Sequence, residues 1–482
     1  MTADLFPNYI AGTWAAASDA APNINPSDLN DTIGHYAQAS TTQTAEAIDC
    51  AAAAFPKWRA TSPMVRFEAL DRIGSEILAR VDELGDMLAR EEGKTLSEAN
   101  AEAHRAGHLF KYFAAEAYRT TGDIYQSLRE DVSLKVLREP IGVVGVITPW
   151  NFPLAIPAWK IAPALAYGNT VVFKPAELVP GSAWMLSDII ARAGLPEGVF
   201  NLVMGKGREV GEAIVTHPKV SGVTFTGSTP VGRNMGAALF ARGAKMQLEM
   251  GGKNPLIVLD DADLDLAVHC ALQGSFFSTG QRCTASSRLI VTDGIHDAFV
   301  DRLCVAMKGL RVGDARAAET QIGPVASEAQ LAIDKRYVSQ AVDEGATLAA
   351  GGSEVGSKTP GHYFAPALFT DVSPQAAVAR DEIFGPIAAV LRVPDYDAAL
   401  ATANDCEFGL SAGIVTRDAA KIDHFSQNAE AGMIQVNLPT AGMDFHAPFT
   451  GRKGSSYGAP EKGSYCREFF TAAKVVHEGR GQ

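Results

Sequence analysis

The chain has only six cysteines in 482 residues, Cys50, Cys270, Cys283, Cys304, Cys406 and Cys466, and none forms a Cys-x-x-Cys pair. Such spacing suggests neither a disulfide framework nor a zinc site, and no bound metal is expected. No apolar run approaches the roughly 20 residues that span a bilayer. The first residues, Met1-Thr2-Ala3-Asp4-Leu5-Phe6-Pro7, lack the basic start and apolar core of a secretory signal. A reducing, cytoplasmic setting without a membrane partner is the default expectation. Basic residues are outnumbered, 42 to 55, leaving a net charge of −13. That balance argues against nucleic acid as a main partner, though not against a local basic pocket for a small anion. Internal repeats, low-complexity tracts and charge blocks are also missing.

What is present is an ordinary globular composition, 47% apolar and 20% charged, in a chain too long for one core. Residues 44–93 read as alanine-rich helix, with Leu70, Ile73, Ile77, Leu78, Leu84 and Leu88 at helical spacing. Another helix is expected over about 96–118. From residue 140 strands alternate with helices: strands over 141–147, 170–173, 199–203 and 222–225, helices over 158–167, 182–193 and 209–216. Ser182 reads as the cap of the second helix. Short strands separated by such helices predict a parallel, doubly wound sheet. After Gly251-Gly252 the alternation resumes and runs to about 436, a second α/β unit. The spacing predicts one domain from 1–119 and 140–250 and another from 251–440. A β element is expected from a hairpin at 120–139 with a strand in 463–482, near Phe469 to Val476.

Cys283 stands in Phe277-Ser278-Thr279-Gly280-Gln281-Arg282-Cys283-Thr284, a polar setting unlike that of a structural cysteine. The adjacent Arg282 guanidinium is expected to favour the thiolate, the nucleophilic form. A nucleophilic sulfur needs a proton acceptor and an oxyanion donor. Glu249, at a strand end before Gly251-Gly252, is the leading base. Glu382, in Glu382-Ile383-Phe384-Gly385-Pro386, competes for that role or grips a ribose, leaving Phe384 to pack on a flat ring. Asn151, in the stiff loop Thr148-Pro149-Trp150-Asn151-Phe152-Pro153, is the oxyanion candidate. Lys174 and Glu177 end a parallel strand, where they form either a ribose site or a surface ion pair. Phe225-Thr226-Gly227-Ser228 is strand, turn and helix start, suited to a pyrophosphate or to an ordinary cap. Gly207 and Gly211 belong to a glycine-rich loop that misses the dinucleotide fingerprint by one residue in spacing.

Taken in order, Pro-Trp-Asn-Phe-Pro, Lys-Pro-Ala-Glu, Phe-Thr-Gly-Ser, Glu-Met-Gly-Gly-Lys-Asn-Pro, Gly-Gln-Arg-Cys and Glu-Ile-Phe-Gly-Pro resemble the aldehyde dehydrogenase superfamily over about residues 8 to 477. The resemblance implies an α/β fold with a Rossmann-type NAD(P) domain, a catalytic domain and an oligomerisation element, assembled as homodimer or homotetramer. It implies NAD(P)-dependent oxidation of an aldehyde to an acid through a thioester on Cys283. Asn151 would hold the oxyanion and Glu249 would activate the hydrolytic water. Lys174 and Glu177 would bind the adenosine ribose, Ser228 the pyrophosphate, and Glu382 the nicotinamide ribose. Phe384 would line the nicotinamide site, with Trp150, Gly207, Gly211, Phe225, Gly227 and Gly251 completing the cofactor site. Coenzyme A-acylating members lack a carboxylate at the Glu249 place, so hydrolysis to the free acid is implied.

Two segments depart from the family pattern. Pro448-Phe449-Thr450-Gly451-Arg452-Lys453 replaces the usual Pro-Phe-Gly-Gly-x-Lys, and Trp159 stands where succinate-semialdehyde types often carry arginine. Pro157-Ala158-Trp159-Lys160 and the segment around Cys283 resemble the α-ketoglutaric semialdehyde (2,5-dioxopentanoate) branch, as do Asn437–Gly442 and Arg452–Gly458. A succinate-semialdehyde or broad aliphatic substrate is the alternative, and a non-oxidative thiol esterase a remoter one. Arg282, Trp159 and His446 are the substrate-side candidates. Glu177 would repel a 2′-phosphate and favours NAD, although Lys174 could offset this and admit NADP.

Overall fold

Five parallel strands form the centre of an eight-stranded sheet in this computed structural model, which describes residues 5–119 and 122–479. In space they run Lys245–Glu249, Val220–Thr226, Val143–Ile147, Thr170–Lys174, Phe200–Leu202. Every residue of Val143–Ile147 and Thr170–Lys174 is buried, the pattern of strands covered by helices on both faces. The chain starts at Val143–Ile147 and moves outward through Thr170–Lys174 to Phe200–Leu202. It then returns to the other side for Val220–Thr226 and Lys245–Glu249. The reversal makes a switch point between Val143–Ile147 and Val220–Thr226, where a crevice opens at the carboxyl ends.

A second sheet of seven strands has the parallel core Ala367–Thr370, Ile387–Val393, Ser286–Thr292, Asn254–Val258, Ser411–Val415, Met433–Val436. Only Met250 to Lys253 separate Lys245–Glu249 from Asn254–Val258. So short a link sets carboxyl ends of the first sheet against amino ends of the second. Loops that follow strands in one sheet therefore meet loops that precede strands in the other. Cys283 comes before Ser286–Thr292, and Glu382 before Ile387–Val393.

A third sheet is antiparallel. Val132–Pro140 pairs along its whole length with Thr471–Gly479, and Asp123–Gln126 lies on its other edge. Ile124, Leu128, Leu137 and Val475 leave apolar side chains exposed there. Thr120, Thr121 and 480–482, which belong to the expected β element, lie outside the described residues, as do 1–4. Among the described residues no helix is long and apolar enough to cross a membrane.

Local signals shift some boundaries. Ser40 and Gln43 form a reciprocal capping box, so the first long helix starts at Thr41 rather than 44. The following run divides at Arg80 into Pro63–Ala79 and Val81–Glu92. The helix expected over 182–193 is Pro180–Ala191, and Ser182 is not its cap. Glu91 takes that part: its carboxylate accepts from Gly181 N at 2.8 Å and Ser182 N at 2.7 Å. A buried charge from a distant helix thus satisfies the free amides, a contact that local sequence cannot reveal. The segment 209–216 opens as a wide π turn, Gly207–Gly211, before Glu212–Thr216.

Candidate active site

Two cavities meet at Cys283. A cleft of about 1000 Å³ occupies the switch point. Its walls include all eleven cofactor candidates: Trp150, Lys174, Glu177, Gly207, Gly211, Phe225, Gly227, Ser228, Gly251, Glu382 and Phe384. Asn151 lines it too. Beyond the sulfur lies a pocket of about 290 Å³, walled by Phe152, Trp159, Met443 and Phe449 and by the cations Arg105, Arg282 and Lys462. Cys283 and Ile156 line both spaces.

The cysteine loop is bent by backbone that side chains rarely tolerate. Ser278, Thr279 and Gly280 follow one another with φ of 51°, 54° and 65°. Glu98 holds this turn, its Oε1 accepting from Ser278 N at 2.8 Å, Ser278 Oγ at 2.9 Å and Arg282 Nη2 at 3.1 Å. Asn254 Nδ2 donates to the carbonyls of Cys283 at 2.8 Å and Ala285 at 2.9 Å. Neither Glu98 nor Asn254 was singled out from sequence. Asn254 stood within a quoted motif, whereas Glu98 carried no local signal.

The expectation that Arg282 holds Cys283 as a thiolate is overturned. The guanidinium is engaged by Glu98 and by Ser278 Oγ at 2.7 Å, because the left-handed turn needs a tether. The sulfur lies deep between the cavities, and that burial pushes the thiol up to about 12, with Glu382, Glu249 and Glu461 adding to the rise. That shift favours the thiol over the thiolate.

Glu249 ends its strand buried and reaches neither cavity, since its Oε2 accepts from Ser456 Oγ at 2.5 Å. Burial, then Glu461, hold its carboxyl well above the usual carboxylate range, against the Ser456 hydrogen bond and Lys160. Beneath it Lys160 and Glu461 form a buried ion pair, and Lys160 also donates to Thr224 Oγ1 at 2.9 Å. Trp159 donates its indole N–H to Glu461 at 2.6 Å while its ring faces the pocket beside Phe449, 5.8 Å between centroids. Glu382 lines the cleft, accepts from Gly252 N at 2.8 Å, and is pushed up to about 7 by burial.

Asn151 Nδ2 donates to the carbonyl of Gln281 at 3.0 Å, which ties its loop to the cysteine loop. Lys94 supports it from below, donating to the Asn151 carbonyl at 2.7 Å and pairing with Glu102 at 2.5 Å. Glu102 in turn accepts from Leu154 N and Ala155 N at 2.9 and 3.0 Å.

The cleft fits a dinucleotide. Ser228 stands at the N-cap of Thr229–Ala241 without a side-chain capping bond, so helix amides and a hydroxyl open towards the cleft for a phosphate. Glu177 Oε1 sits at the strand end, accepting from Gly207 N at 2.7 Å, and Lys174 is lowered to about 8 by burial. Phe384 meets Trp150 edge-on at 5.4 Å at the other end. His446 is a correction: it lines neither cavity, and its ring lies against Phe445 at 5.5 Å. Phe445 stacks on His108, while Gly442 and Met443 of the same segment line the pocket.

The model of the aldehyde dehydrogenase family matches residues 14–476. The alpha-ketoglutaric semialdehyde dehydrogenase of Bacillus subtilis is 43% identical over 97% of both chains. A crystal structure of an E. coli NADP-dependent enzyme superposes with a TM-score of 0.96 at 36% identity, covering 99% of this chain and 98% of that one. Betaine aldehyde dehydrogenase from Staphylococcus aureus in complex with NAD+ gives 0.95 at 32% identity, covering 98% and 94%.

Proposed function

The chain belongs to the aldehyde dehydrogenase family and is an NAD(P)-dependent oxidoreductase, and we propose that it oxidises α-ketoglutaric semialdehyde to 2-oxoglutarate. The observation that carries this reading is the sulfur of Cys283 at the junction of a dinucleotide-sized cleft and a cation-lined pocket.

The aldehyde enters the smaller pocket, and Cys283 attacks its carbonyl carbon to give a thiohemiacetal. Burial favours the neutral thiol, so attack releases one proton, which passes to solvent in the cavities that Cys283 lines. Asn151 Nδ2 and the Cys283 backbone N–H stabilise the oxyanion, a contribution typically worth two to three orders of magnitude per donor, about 10²–10³. A dinucleotide held by the cleft residues would supply the hydride acceptor needed for the oxidation to a thioester. Glu249 swings off Ser456, takes a proton from water, and the water displaces the acid from sulfur. Burial and Glu461 raise its pKa, which makes it a stronger base than a solvated carboxylate.

Lys174 and Glu177 hold the adenosine ribose, Ser228 the pyrophosphate and Glu382 the nicotinamide ribose. Trp150 and Phe384 would line the nicotinamide end and Phe225 the cleft wall, while Gly207, Gly211, Gly227 and Gly251 would let backbone approach the dinucleotide. NAD is preferred over NADP, because Glu177 accepts from a ribose diol and repels a 2′-phosphate. The cofactor domain comprises 1–119 and 140–250, and the catalytic domain 251–440. The exposed apolar side chains of the third sheet support a homodimer or homotetramer built through it. A nucleophilic thiol works reduced, which supports a cytoplasmic setting.

Steady-state kinetics with α-ketoglutaric semialdehyde, succinate semialdehyde and pentanal, each with NAD and NADP, test the reading. The highest kcat/KM is expected for the first aldehyde with NAD. An equal or higher value for pentanal overturns the substrate assignment.

A further inference from the structure

The pocket beyond Cys283 has an uneven set of charges. It is lined by three cations, Arg105, Arg282 and Lys462, and two carboxylates, Glu98 and Glu102. Both carboxylates are already engaged. Glu98 holds Arg282 and the cysteine turn, and Glu102 holds Lys94 and two backbone amides. Among the described residues no hydrogen bond or ion pair restrains half-buried Arg105. Lys462 donates to the Asp444 carbonyl at 3.2 Å and lies 5.4 and 5.2 Å over the Trp159 and Phe449 rings; it feels the charges of Glu461 and Asp444 but makes no ion pair with either. Burial lowers Lys462 to about 8, and Arg105 repels both Lys462 and Arg282. Arg105, unrestrained, and Lys462, which makes no ion pair, present two cations to one pocket, an arrangement suited to an anion.

We propose that Arg105 recognises the carboxylate of the substrate, with Lys462 as the second cation. The placement follows from helix geometry. Glu98, Glu102 and Arg105 share one face of Leu96–Glu116 at i, i+4 and i+7. Seven residues rise roughly 10 Å, so Arg105 stands that far along the helix from the Glu98 level that anchors the cysteine loop. Cys283 and Arg105 line the same pocket, so an ω-oxo acid held there can direct its aldehyde to the sulfur and its carboxylate to the guanidinium. The planar fork of arginine matches a carboxylate in two hydrogen bonds, which a neutral aldehyde cannot use. The cation that Trp159 does not provide is supplied by Arg105 from the helix Leu96–Glu116. Arg282 is then a tether of the cysteine turn rather than the carboxylate's partner.

This rests on the reading of an anionic semialdehyde substrate, and the experiment separates the two. Wild type, Arg105→Met and Arg105→Lys are compared on α-ketoglutaric semialdehyde and on pentanal, with glutarate as a competitive inhibitor of pentanal oxidation. Arg105→Met is expected to raise KM for the semialdehyde about tenfold or more and to weaken glutarate inhibition similarly, while pentanal kinetics change less than about twofold. Arg105→Lys should recover part of both losses. Preserved pentanal turnover shows that the variant is folded. If wild type prefers the semialdehyde and Arg105→Met keeps that preference, the assignment of Arg105 fails alone. If the variant loses both aldehydes equally and lysine restores neither, Arg105 is structural and the proposal fails. If wild type shows no preference for the semialdehyde, the substrate reading falls and takes this proposal with it.

Discussion

Ser456 donates its hydroxyl hydrogen to Oε2 of Glu249 across 2.5 Å, between residues that are direct partners on antiparallel strands. The contact favours the ionised carboxylate where burial and Glu461 disfavour it. It also keeps that carboxylate out of both cavities. Ser456→Ala removes the bond, so the Glu249 pKa rises further and the working base survives only at higher pH. Where thioester hydrolysis limits turnover, activity present above that pKa is lost as pH falls through it. The acid limb of the kcat–pH profile is therefore expected to move to higher pH. A profile superimposable on wild type would remove Ser456 from this part.

Glu249→Gln keeps the shape of the side chain and cannot accept the proton of the hydrolytic water. Thiol attack and hydride loss do not use that proton. The first turnover should survive as a rapid burst near one equivalent of reduced dinucleotide per site, followed by a steady rate lower by about 10²–10⁴. Rapid-mixing absorbance measures both phases. Loss of the burst along with the steady rate would make Glu249 the acceptor of the Cys283 proton instead.

Residues at strand ends were legible in the sequence because glycine and proline punctuate those ends. Glu249, Cys283, Glu382 and the Gly227-Ser228 turn all lie where strand and loop meet, and the two cavities collect them or sit beside them. Partners that act across the fold were not legible. Glu98 and Arg105 read as polar residues of a helix, since nothing local tells that their face meets a loop near residue 280. Arg282 misled for the converse reason. Sequence adjacency to the sulfur suggested a charge effect, while the strained turn claimed the guanidinium. Ser182 misled because the carboxylate that fills its place comes from Glu91.

Lys94 and Glu102 are both almost fully buried and pair at 2.5 Å beneath the Asn151 loop. Removing one partner of such a pair leaves an uncompensated charge, at a cost of about 3–5 kcal/mol. Lys94→Met should therefore lower Tm clearly in thermal unfolding, and it also frees the Asn151 carbonyl. Adding Glu102→Gln to that variant should recover part of the stability, because the stranded charge goes. A double variant no more stable than the single one would contradict burial of a charged pair.

Gly280 and Gly385 pack backbone to backbone: a Cβ built on Gly280 would stand 2.3 Å from the Gly385 carbonyl oxygen. The φ of 65° at Gly280 adds a conformational penalty of about 1 kcal/mol or more for any other residue. Gly385 has no room to retreat, since its own Cβ would fall 2.1 Å from Oδ1 of buried Asp334 on the helix Glu328–Asp343. The cysteine loop, the Glu382–Phe384 loop and that helix are thus fitted together through two missing side chains. Gly280→Ala must push the segment carrying Glu382 and Phe384 away from the cleft or distort the turn before Cys283. Both lining residues of the proposed nicotinamide end then shift. The expected result is a dinucleotide Kd raised about tenfold by fluorescence titration, with a lower Tm, while Cys283 is still alkylated. Unchanged dinucleotide affinity in a stably folded variant would show that the two loops are not coupled through this contact.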